Sequence, residues 1–161
     1  MAKKELDAKA GTHLIAQNRR AWYDYEILDT YEAGLALLGT EVKSLRMGKA
    51  NLSDGYARIE SGQAFLHNVR IEPYGSGNRF NHDPERARKL LLNRWEIGRI
   101  IGRTEEKGLT LIPLRLYFKA GRAKVEIGVV RGKRQYDRRR EIAKRDSDRA
   151  IDRALANQDD A

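Results

Sequence analysis

The sequence LTLIPLRLYFKAGRAKVEIGVV, residues 109–130, contains two apolar segments separated by a short turn signal. Leu109–Lys119 and Ala123–Val130 are rich in branched and aromatic residues, which is typical of β-strands. Ala120-Gly121-Arg122 stands between them and predicts the turn. Pro113 cannot donate a hydrogen bond to a neighbouring strand, so it marks a sheet edge or a bulge. The stretch therefore predicts a β-hairpin late in the chain.

More strands are predicted on the N-terminal side of this hairpin. Ser53–Ser61 and Ala64–Ile71 are two strand-like segments, and Ser61-Gly62 joins them as a second hairpin. Trp22–Tyr31 alternates apolar and polar residues with a period of two, which predicts another strand. Glu32-Ala33-Gly34 is expected to break that strand.

Two helices are predicted between the strands. The first is short, with Thr40 as its N-cap and Gly48 at its end. Residues 73–84, rich in glycine, proline and asparagine, form a long loop of the kind that often binds partners. Asp83 can cap a second helical region, about residues 85–106, whose register is expected to break near Asn93.

The sum of these elements predicts a mainly β (α+β) fold. Antiparallel strands with few helices favour an OB-fold-like closed antiparallel β-barrel with flanking helices. The alternative is another small α+β domain. Three regions are expected: a disordered N-terminus (1–12), the OB-like RNA-binding barrel (13–130) and a basic C-terminal tail (131–161).

The composition of the tail does not predict a segment that folds on its own. Residues 131–153 hold ten Lys or Arg against five Asp or Glu and few apolar side chains. Such a segment buries too little apolar surface to offset its ordering entropy. Glu141 and Arg145 are spaced i,i+4, and no Gly or Pro interrupts residues 138–156. The tail is therefore expected to become helical on binding a polyanion.

Composition limits the class of protein. The formal charge is +9 and the pI about 9.9, which favours nucleic acid or an anionic membrane surface as partner. There is no cysteine, and the N-terminal lysines are not followed by an apolar segment, so neither disulfides nor a secretory signal are expected. A cytoplasmic protein that meets nucleic acid is the first interpretation. A basic membrane-surface protein is the second.

Enzyme chemistry finds little support in the sequence. The three histidines lie far apart, none with the spacing of a metal-ligand pair, so no metal site and no cofactor is expected. A metal-dependent nuclease would use scattered carboxylates such as Asp29, Glu32, Glu41 and Asp54. Carboxylates at such positions are mostly caps and solvated charges, so catalysis is the minority interpretation.

Nucleic-acid binding has better candidates. Two arginines, Arg19 and Arg20, follow Asn18 and precede Trp22 and Tyr23. Such a cluster can neutralise phosphates and stack on unpaired bases. An exposed, charged start of a strand with buried aromatic rings explains the same residues equally well.

Three more candidate RNA-binding sites also have an ordinary structural interpretation. Lys43, Arg46 and Lys49 form a second basic patch, for which an ordinary solvated face is the favoured interpretation. Glu32 can accept hydrogen bonds from a guanine edge or satisfy local backbone groups. One leucine of Leu90-Leu91-Leu92 is expected to be exposed against a partner, unless the helix is buried on two sides.

At these residues the sequence resembles the family of SsrA-binding proteins (small protein B), which work with transfer-messenger RNA in bacterial ribosome rescue. The resemblance covers most of residues 15–140, in order, and no single motif carries it. The matching stretches are IAQNRRAWYDYEI (15–27), YEAGLALLGTEVKSLRMGKANLSDGYA (31–57), RKLLLNRWEI (88–97), KGLTLIPLRLYFKAGRAKVEIGV (107–129) and RGKRQYDRRR (131–140).

The resemblance implies an OB-like barrel without catalytic site or cofactor, which binds the tRNA-like domain of transfer-messenger RNA. It implies that the tail enters the ribosome at the empty decoding site of the 16S rRNA. It also implies elongation factor Tu as a partner through the charged RNA, and a monomer when free. The RNA contacts it implies are Asn18, Arg19, Arg20, Glu32, Lys43, Arg46, Leu91 and Asn93. The tail contacts it implies are Gly132, Lys133, Arg134, Tyr136, Asp137, Arg138 and Arg139.

Two points qualify this resemblance. Some family members have His where Tyr136 stands, and Tyr can stack on a base but cannot gain a charge near neutral pH. The alternative function is a generic OB-fold, ribosome-associated or nucleic-acid-binding protein without a role in tagging. Similar affinity for unrelated RNAs would distinguish it.

Overall fold

The computed structural model describes residues 11–75, 81–105, 108–133 and 143–154. The chain divides into two compact units, Met1–Arg131 and Gly132–Ala161. The elements before residue 133 are β1 Thr12–Gln17, α1 Arg19–Asp24, β2 Tyr25–Leu35, α2 Gly39–Arg46, β3 Ala50–Asn51, β4 Tyr56–Glu60, β5 Gln63–His67, β6 Arg70–Ile71, β7 Arg88–Leu91, α3 Arg94–Thr104, β8 Leu109–Lys119 and β9 Arg122–Gly132. β1 begins at Thr12, the last residue of the segment expected to be disordered.

The β8–β9 hairpin forms as its sequence predicts. The two strands are antiparallel from Leu109↔Arg131 to Lys119↔Arg122. Ala120 and Gly121 form the turn with φ of 50° and 78°, the left-handed conformation that a tight hairpin turn requires. The register shifts between Pro113 and Arg115, which confirms the bulge at the proline.

Seven strands form the main sheet in the order β1-β8-β4-β5-β7-β2-β9, and β3 pairs with β6 in a small second sheet. β8 pairs with β9 as well as with β4, so the pairings β8-β4-β5-β7-β2-β9 return to the strand at which they start. The fold is mainly β with a few helices. Its core contains side chains that are almost fully buried, including Leu66, Leu116, Val125, Ile127 and Val129.

The predicted hairpin at Ser61-Gly62 is confirmed with shorter strands. β4 and β5 pair from Tyr56↔His67 to Glu60↔Gln63. Ser61 and Gly62 both have positive φ, 51° and 76°.

The predicted strand Trp22–Tyr31 is partly wrong. Arg19–Asp24 is a helix, and the strand begins only at Tyr25. The reason is local: the Asn18 side chain accepts a hydrogen bond from the backbone N–H of Ala21 and so caps the first turn of α1.

Glu32-Ala33-Gly34 does not break the strand, contrary to the prediction. β2 continues through these residues to Leu35, with Gly34 opposite Leu91 of β7. A Cβ at position 34 would lie 3.2 Å from the Leu91 Cβ. The glycine at position 34 therefore allows β2 and β7 to approach each other closely.

The predicted helix over residues 85–106 is wrong in its first part, because residues 88–91 form strand β7. Arg88 and Leu90 are buried and Lys89 and Leu91 exposed, which is strand alternation. Backbone pairing with β5 on one side and β2 on the other outweighs the helical appearance of the leucine run. Asp83 does not cap a helix; its Oδ1 accepts from the Glu85 N–H over 3.0 Å in a turn.

Helix α2 lies where a short helix was predicted, but its cap differs. The N-cap is Leu38, whose N–H donates to the Glu41 carboxylate over 2.8 Å. The Thr40 hydroxyl is instead 2.9 Å from His82 Nδ1. The chain leaves α2 at Gly48, with φ of 72°, as predicted.

A buried ion-pair network connects α2 to β7. The Glu41 carboxylate is fully buried and accepts from Arg86 at 2.6 Å and from the buried Arg88. Burial alone would raise the pKa of the Glu41 carboxyl, but Arg86, the Leu38 N–H and Arg88 lower it below its ordinary value. Arg88 also donates to the carbonyls of Val69 and Pro84.

In the second unit, residues 143–154 are helical, and we name this helix α4. Every side chain in it is exposed, including Ile151 at 55%. Across the parts of the chain that the structure describes, no helix is long and apolar enough to cross a membrane.

Candidate nucleic-acid interface

Glu32 has a defined hydrogen-bonding environment on β2. Its Oε2 accepts from the Tyr117 hydroxyl at 2.5 Å, and Lys119 Nζ lies 3.4 Å from both carboxylate oxygens. Partial burial raises the pKa of the Glu32 carboxyl, but the hydrogen bond from Tyr117 and the charges of Lys119 and Lys124 outweigh it and lower the pKa. Glu32 is therefore an ionised acceptor held in place, with exposed surface left for a ligand.

Tyr117 donates a hydrogen bond to this carboxylate from a buried position. Its side chain is buried, and both burial and the hydrogen bond to Glu32 raise the pKa of the phenol well above its ordinary value. The hydroxyl therefore stays protonated at every physiological pH.

Leu91 lies on the same side of the sheet as Glu32. Its strand partner is Gly34, two residues after Glu32 on β2, so side chains 32 and 34 point to the same face. Leu91 is 53% exposed. It borders a groove of about 440 Å³ whose other lining residues are Gly34, Leu35, Leu37, Val42, Phe118, Gly121, Arg122, Ala123 and Lys124.

Asn93 extends this surface to the start of α3. It is the N-cap residue, but its side chain makes no capping bond; Nδ2 donates to Glu96 Oε1 over 2.8 Å. Asn93 and Leu91 line a second groove of about 340 Å³. We call Glu32, Leu91, Asn93, Lys119 and Lys124 the Glu32 face: an apolar and hydrogen-bonding surface beside two lysines.

Lys43 and Arg46 are exposed on the last turn of α2. Their neighbour Val42 lines the groove beside Leu91, so α2 borders that groove. Lys43 Nζ lies 5.4 Å from the centroid of the Tyr74 ring, a cation–π distance.

Asn18 is placed differently from the expectation of a direct RNA contact. Its side chain is 5% exposed, and both of its polar atoms have protein partners. Oδ1 accepts from Ala21 N–H at 3.2 Å, while Nδ2 donates to the carbonyls of Pro113 (3.2 Å) and Leu52 (3.4 Å). The geometry makes Asn18 a residue that positions α1.

The cations beside Asn18 are on the surface. Arg19 is exposed, and Arg20 is largely exposed with its Nε 3.1 Å from Asp24. A polar cavity of about 440 Å³ lies next to them, and its lining shares no residue with the two grooves around Leu91. The structure therefore brings Glu32, Leu91 and Asn93 together and places Asn18, Arg19 and Arg20 at a separate surface.

Sequence reasoning missed Tyr117, Lys119 and Lys124. The alternation of the β8 sequence could have placed Tyr117 and Lys119 on one strand face, since they are two residues apart. Their contact with Glu32 joins residues 85 and 87 positions apart, and no local pattern reports it.

Only two of the proposed ribosome contacts in the tail lie among the residues that the structure describes. Gly132 ends β9 and Lys133 follows it. Arg134, Tyr136, Asp137, Arg138 and Arg139 lie outside the described residues.

One of the candidate carboxylates and two of the histidines have the following partners within the fold. Asp29 accepts from the Tyr31 hydroxyl at 3.1 Å, His67 Nε2 lies 3.0 Å from Glu60, and the buried His82 Nε2 lies 2.8 Å from the Ile71 carbonyl. Within residues 11–75, 81–105, 108–133 and 143–154, no group of three or more His, Asp or Glu could hold a metal ion.

Comparison with known proteins gives consistent matches over nearly the whole chain. The family model described as SmpB protein matches residues 15–157. The SsrA-binding protein of Carboxydothermus hydrogenoformans is 58% identical over 142 residues, which cover 88% of this chain and 95% of the relative. That of Thermobifida fusca is 58% identical over 153 residues, covering 95% of this chain and 96% of the relative. A solved chain from "tmRNA-SmpB: a journey to the center of the bacterial ribosome" has a TM-score of 0.64 and 55% identity, covering 74% of this chain and 85% of that chain.

Proposed function

This chain belongs to the SmpB protein family, and we propose that it binds the tRNA-like domain of transfer-messenger RNA and delivers that RNA to stalled ribosomes for trans-translation. The observation that carries the proposal is the family match over residues 15–157, which includes both the sheet and the tail. The family binds RNA and is not a family of enzymes, so the nuclease interpretation is set aside.

The finer architecture that we propose is an OB-like closed barrel with flanking helices. The support is the sequence of strand pairings β8-β4-β5-β7-β2-β9-β8, which leaves each of these six strands paired on both sides. A closed sheet holds Glu32 and Tyr117 at a constant distance, which suits a surface that recognises one RNA shape.

In this proposal the Glu32 face contacts the RNA. The ionised Glu32 accepts hydrogen bonds from the edge of a guanine, the exposed Leu91 packs on a base or sugar, and Asn93 donates or accepts at a base edge. Lys43 and Arg46 neutralise phosphates beside the groove.

At the second surface, Arg19 and Arg20 are the proposed RNA contacts and Asn18 supports them. The Asn18 side chain donates to the Pro113 carbonyl and accepts from the Ala21 N–H. These two hydrogen bonds fix the first turn of α1, on which both arginines lie. Asn18 therefore affects RNA binding through their position.

For the tail we propose contact with the ribosome at the empty decoding site and along the mRNA path. Gly132 and Lys133 begin this segment, and Arg134, Tyr136, Asp137, Arg138 and Arg139 continue it. The support is the basic sequence after residue 131 and the exposure of every side chain in α4. We further propose elongation factor Tu as a partner through the charged RNA, a monomeric free protein and a cytoplasmic location, in keeping with the bacterial ribosome named for the similar structure.

The test is a competition experiment combined with a tagging assay. A tRNA-like RNA is expected to displace a labelled copy of itself at far lower concentration than an unstructured RNA of equal length, and the protein is expected to support tagging on stalled ribosomes. Equal affinity for both RNAs without tagging would instead identify a generic nucleic-acid-binding protein.

A further inference from the structure

Helix α3 carries a large aromatic side chain that the fold does not use. Trp95 is 61% exposed, although it is the second residue of an element whose inner side is packed on the core by Ile100. Gly98, Arg99 and Gly102 are also exposed. They recur at three, four and seven residues after Trp95, so the four residues share the outer face of the helix.

The two glycines on this face have no role within the fold. Apart from its chain neighbours and the backbone of its own helix, a Cβ built on Gly98 or Gly102 meets no heavy atom of the described residues within 4 Å, and neither glycine has a positive φ. Glycine weakens a helix interior relative to alanine, so the fold alone would favour alanine at both positions. A helix surface without side chains is useful where another molecule must approach the backbone closely.

The charge around Trp95 matches a polyanion. Arg94 and Arg99 are exposed on α3, and Lys89 is exposed on β7, on the same strand face as Leu91. The one acidic residue of α3, Glu96, already accepts a hydrogen bond from Asn93.

The outer face of α3 begins close to the Glu32 face along the chain. Asn93, which belongs to that face, is the N-cap of the helix and stands two residues before Trp95.

We infer that Trp95, Gly98, Arg99 and Gly102 form an additional RNA-contact site that holds an unpaired nucleobase and its flanking phosphates. The indole stacks on the base, Arg99 neutralises a phosphate, and the two glycines let the sugar–phosphate backbone lie against the helix. The inference rests on the proposed function, because the base belongs to the tRNA-like RNA that the Glu32 face binds.

The experiment uses the full chain and a tRNA-like RNA. The chain has two tryptophans, so Trp22→Phe leaves Trp95 as the sole tryptophan and Trp95→Phe leaves Trp22. Stacking is expected to quench the emission of Trp95 in the first variant. Trp95→Ala is expected to weaken RNA binding about tenfold or more, and Trp95→Phe, which keeps an aromatic face, to recover most of that loss.

Gly98→Ala and Gly102→Ala separate recognition from folding. Both are expected to melt at the same temperature as the wild type or higher, because alanine favours the helix and the added methyl group meets nothing in the fold. Both are nevertheless expected to bind the RNA more weakly.

Three results would overturn the inference. If Leu91→Ala weakens selective binding while Trp95→Ala binds like the wild type and the emission of Trp95 in Trp22→Phe is not quenched, this site is absent and the proposed function stands. If Trp95→Ala reduces tagging but not RNA affinity, the face serves a protein or the ribosome. If the wild type shows no preference for the tRNA-like RNA, the proposed function fails together with the inference.

Discussion

Tyr117 donates its hydroxyl hydrogen to the Glu32 carboxylate over 2.5 Å, although 85 residues separate the two in the sequence. Their strands belong to one sheet, β2 next to β9 and β9 next to β8. An acceptor on one strand is thus oriented by a buried donor two strands away. The orientation of Glu32, the proposed RNA contact, therefore depends on the sheet.

Tyr117→Phe removes this donor and keeps the ring. We expect the free energy of unfolding to fall by about 1.5–3 kcal/mol, the usual value of a hydrogen bond to a charged group. Affinity for the tRNA-like RNA should fall severalfold because Glu32 is no longer oriented. Glu32→Gln, measured alongside by urea unfolding and RNA titration, should lose more affinity than Tyr117→Phe. Wild-type affinity in Tyr117→Phe would show that the hydroxyl is irrelevant to binding.

The lowered pKa of Glu32 has a consequence for stability against pH. A carboxyl whose pKa is lower in the folded than in the unfolded state stabilises the fold above its ordinary pKa, near 4.5, and loses this contribution as the pH falls through the lower folded value. Wild type and Glu32→Gln should therefore differ in melting temperature by a constant amount from pH 8 to pH 5. The difference should shrink only below about pH 4.5. A difference that already changes between pH 8 and pH 6 would contradict the lowered pKa.

The Glu41–Arg88 ion pair is expected to dominate the stability of the α2–β7 contact. Glu41→Gln leaves the fully buried Arg88 guanidinium without its counter-charge, which should cost about 3–5 kcal/mol in urea unfolding. The matched control is Arg70→Ala, which breaks the exposed pair with Glu72 and should leave the unfolding curve unchanged. Equal curves for both variants would argue against the buried network.

Asn18 and Leu91 are predicted to contribute to RNA binding in different ways. Asn18→Ala removes the cap of α1 and leaves the Pro113 and Leu52 carbonyls without this donor, so the free energy of unfolding should fall by about 1–3 kcal/mol. Leu91→Ala truncates an exposed side chain and should lower RNA affinity with little change in stability. Unfolding and RNA binding measured for both variants test the distinction. Full stability of Asn18→Ala would show that its hydrogen bonds are dispensable.

Removal of the tail should separate RNA binding from tagging. The shortened chain should keep residues up to Lys133, because β9 continues to Gly132. Arg131 is part of the fold: it pairs with Leu109 and forms an ion pair with Glu26 at 2.8 Å. The shortened protein should bind the tRNA-like RNA nearly as well as the wild type and fail to support tagging on stalled ribosomes. Tagging by the truncated protein would show that the tail is not the part that acts in the ribosome.

The correct predictions from sequence concern features that single residues impose. Gly121 and Gly62 supply the positive φ of their turns, Gly48 supplies it after α2, and Pro113 cannot donate to the β-ladder. These effects are local, so the sequence reports them directly.

The wrong predictions concern segments whose local pattern suits two structures. Trp22 to Asp24 alternates like a strand, but the Asn18 cap makes these residues helical. Leu90 to Leu92 has the composition of a helix, but two neighbouring strands pair with β7. In both places a contact outside the pattern selects the structure.

The sequence alone determined the mainly β class, the positions of both hairpins, the basic tail and the family resemblance with its candidate residues. Only the tertiary structure decided that Glu32, Leu91 and Asn93 share a face, that Tyr117 orients Glu32, and that Asn18 is buried as a support. Turns and strands follow from the φ preferences and alternation of adjacent residues. A binding face depends instead on which strands are neighbours, and such pairing joins residues that lie far apart in the chain.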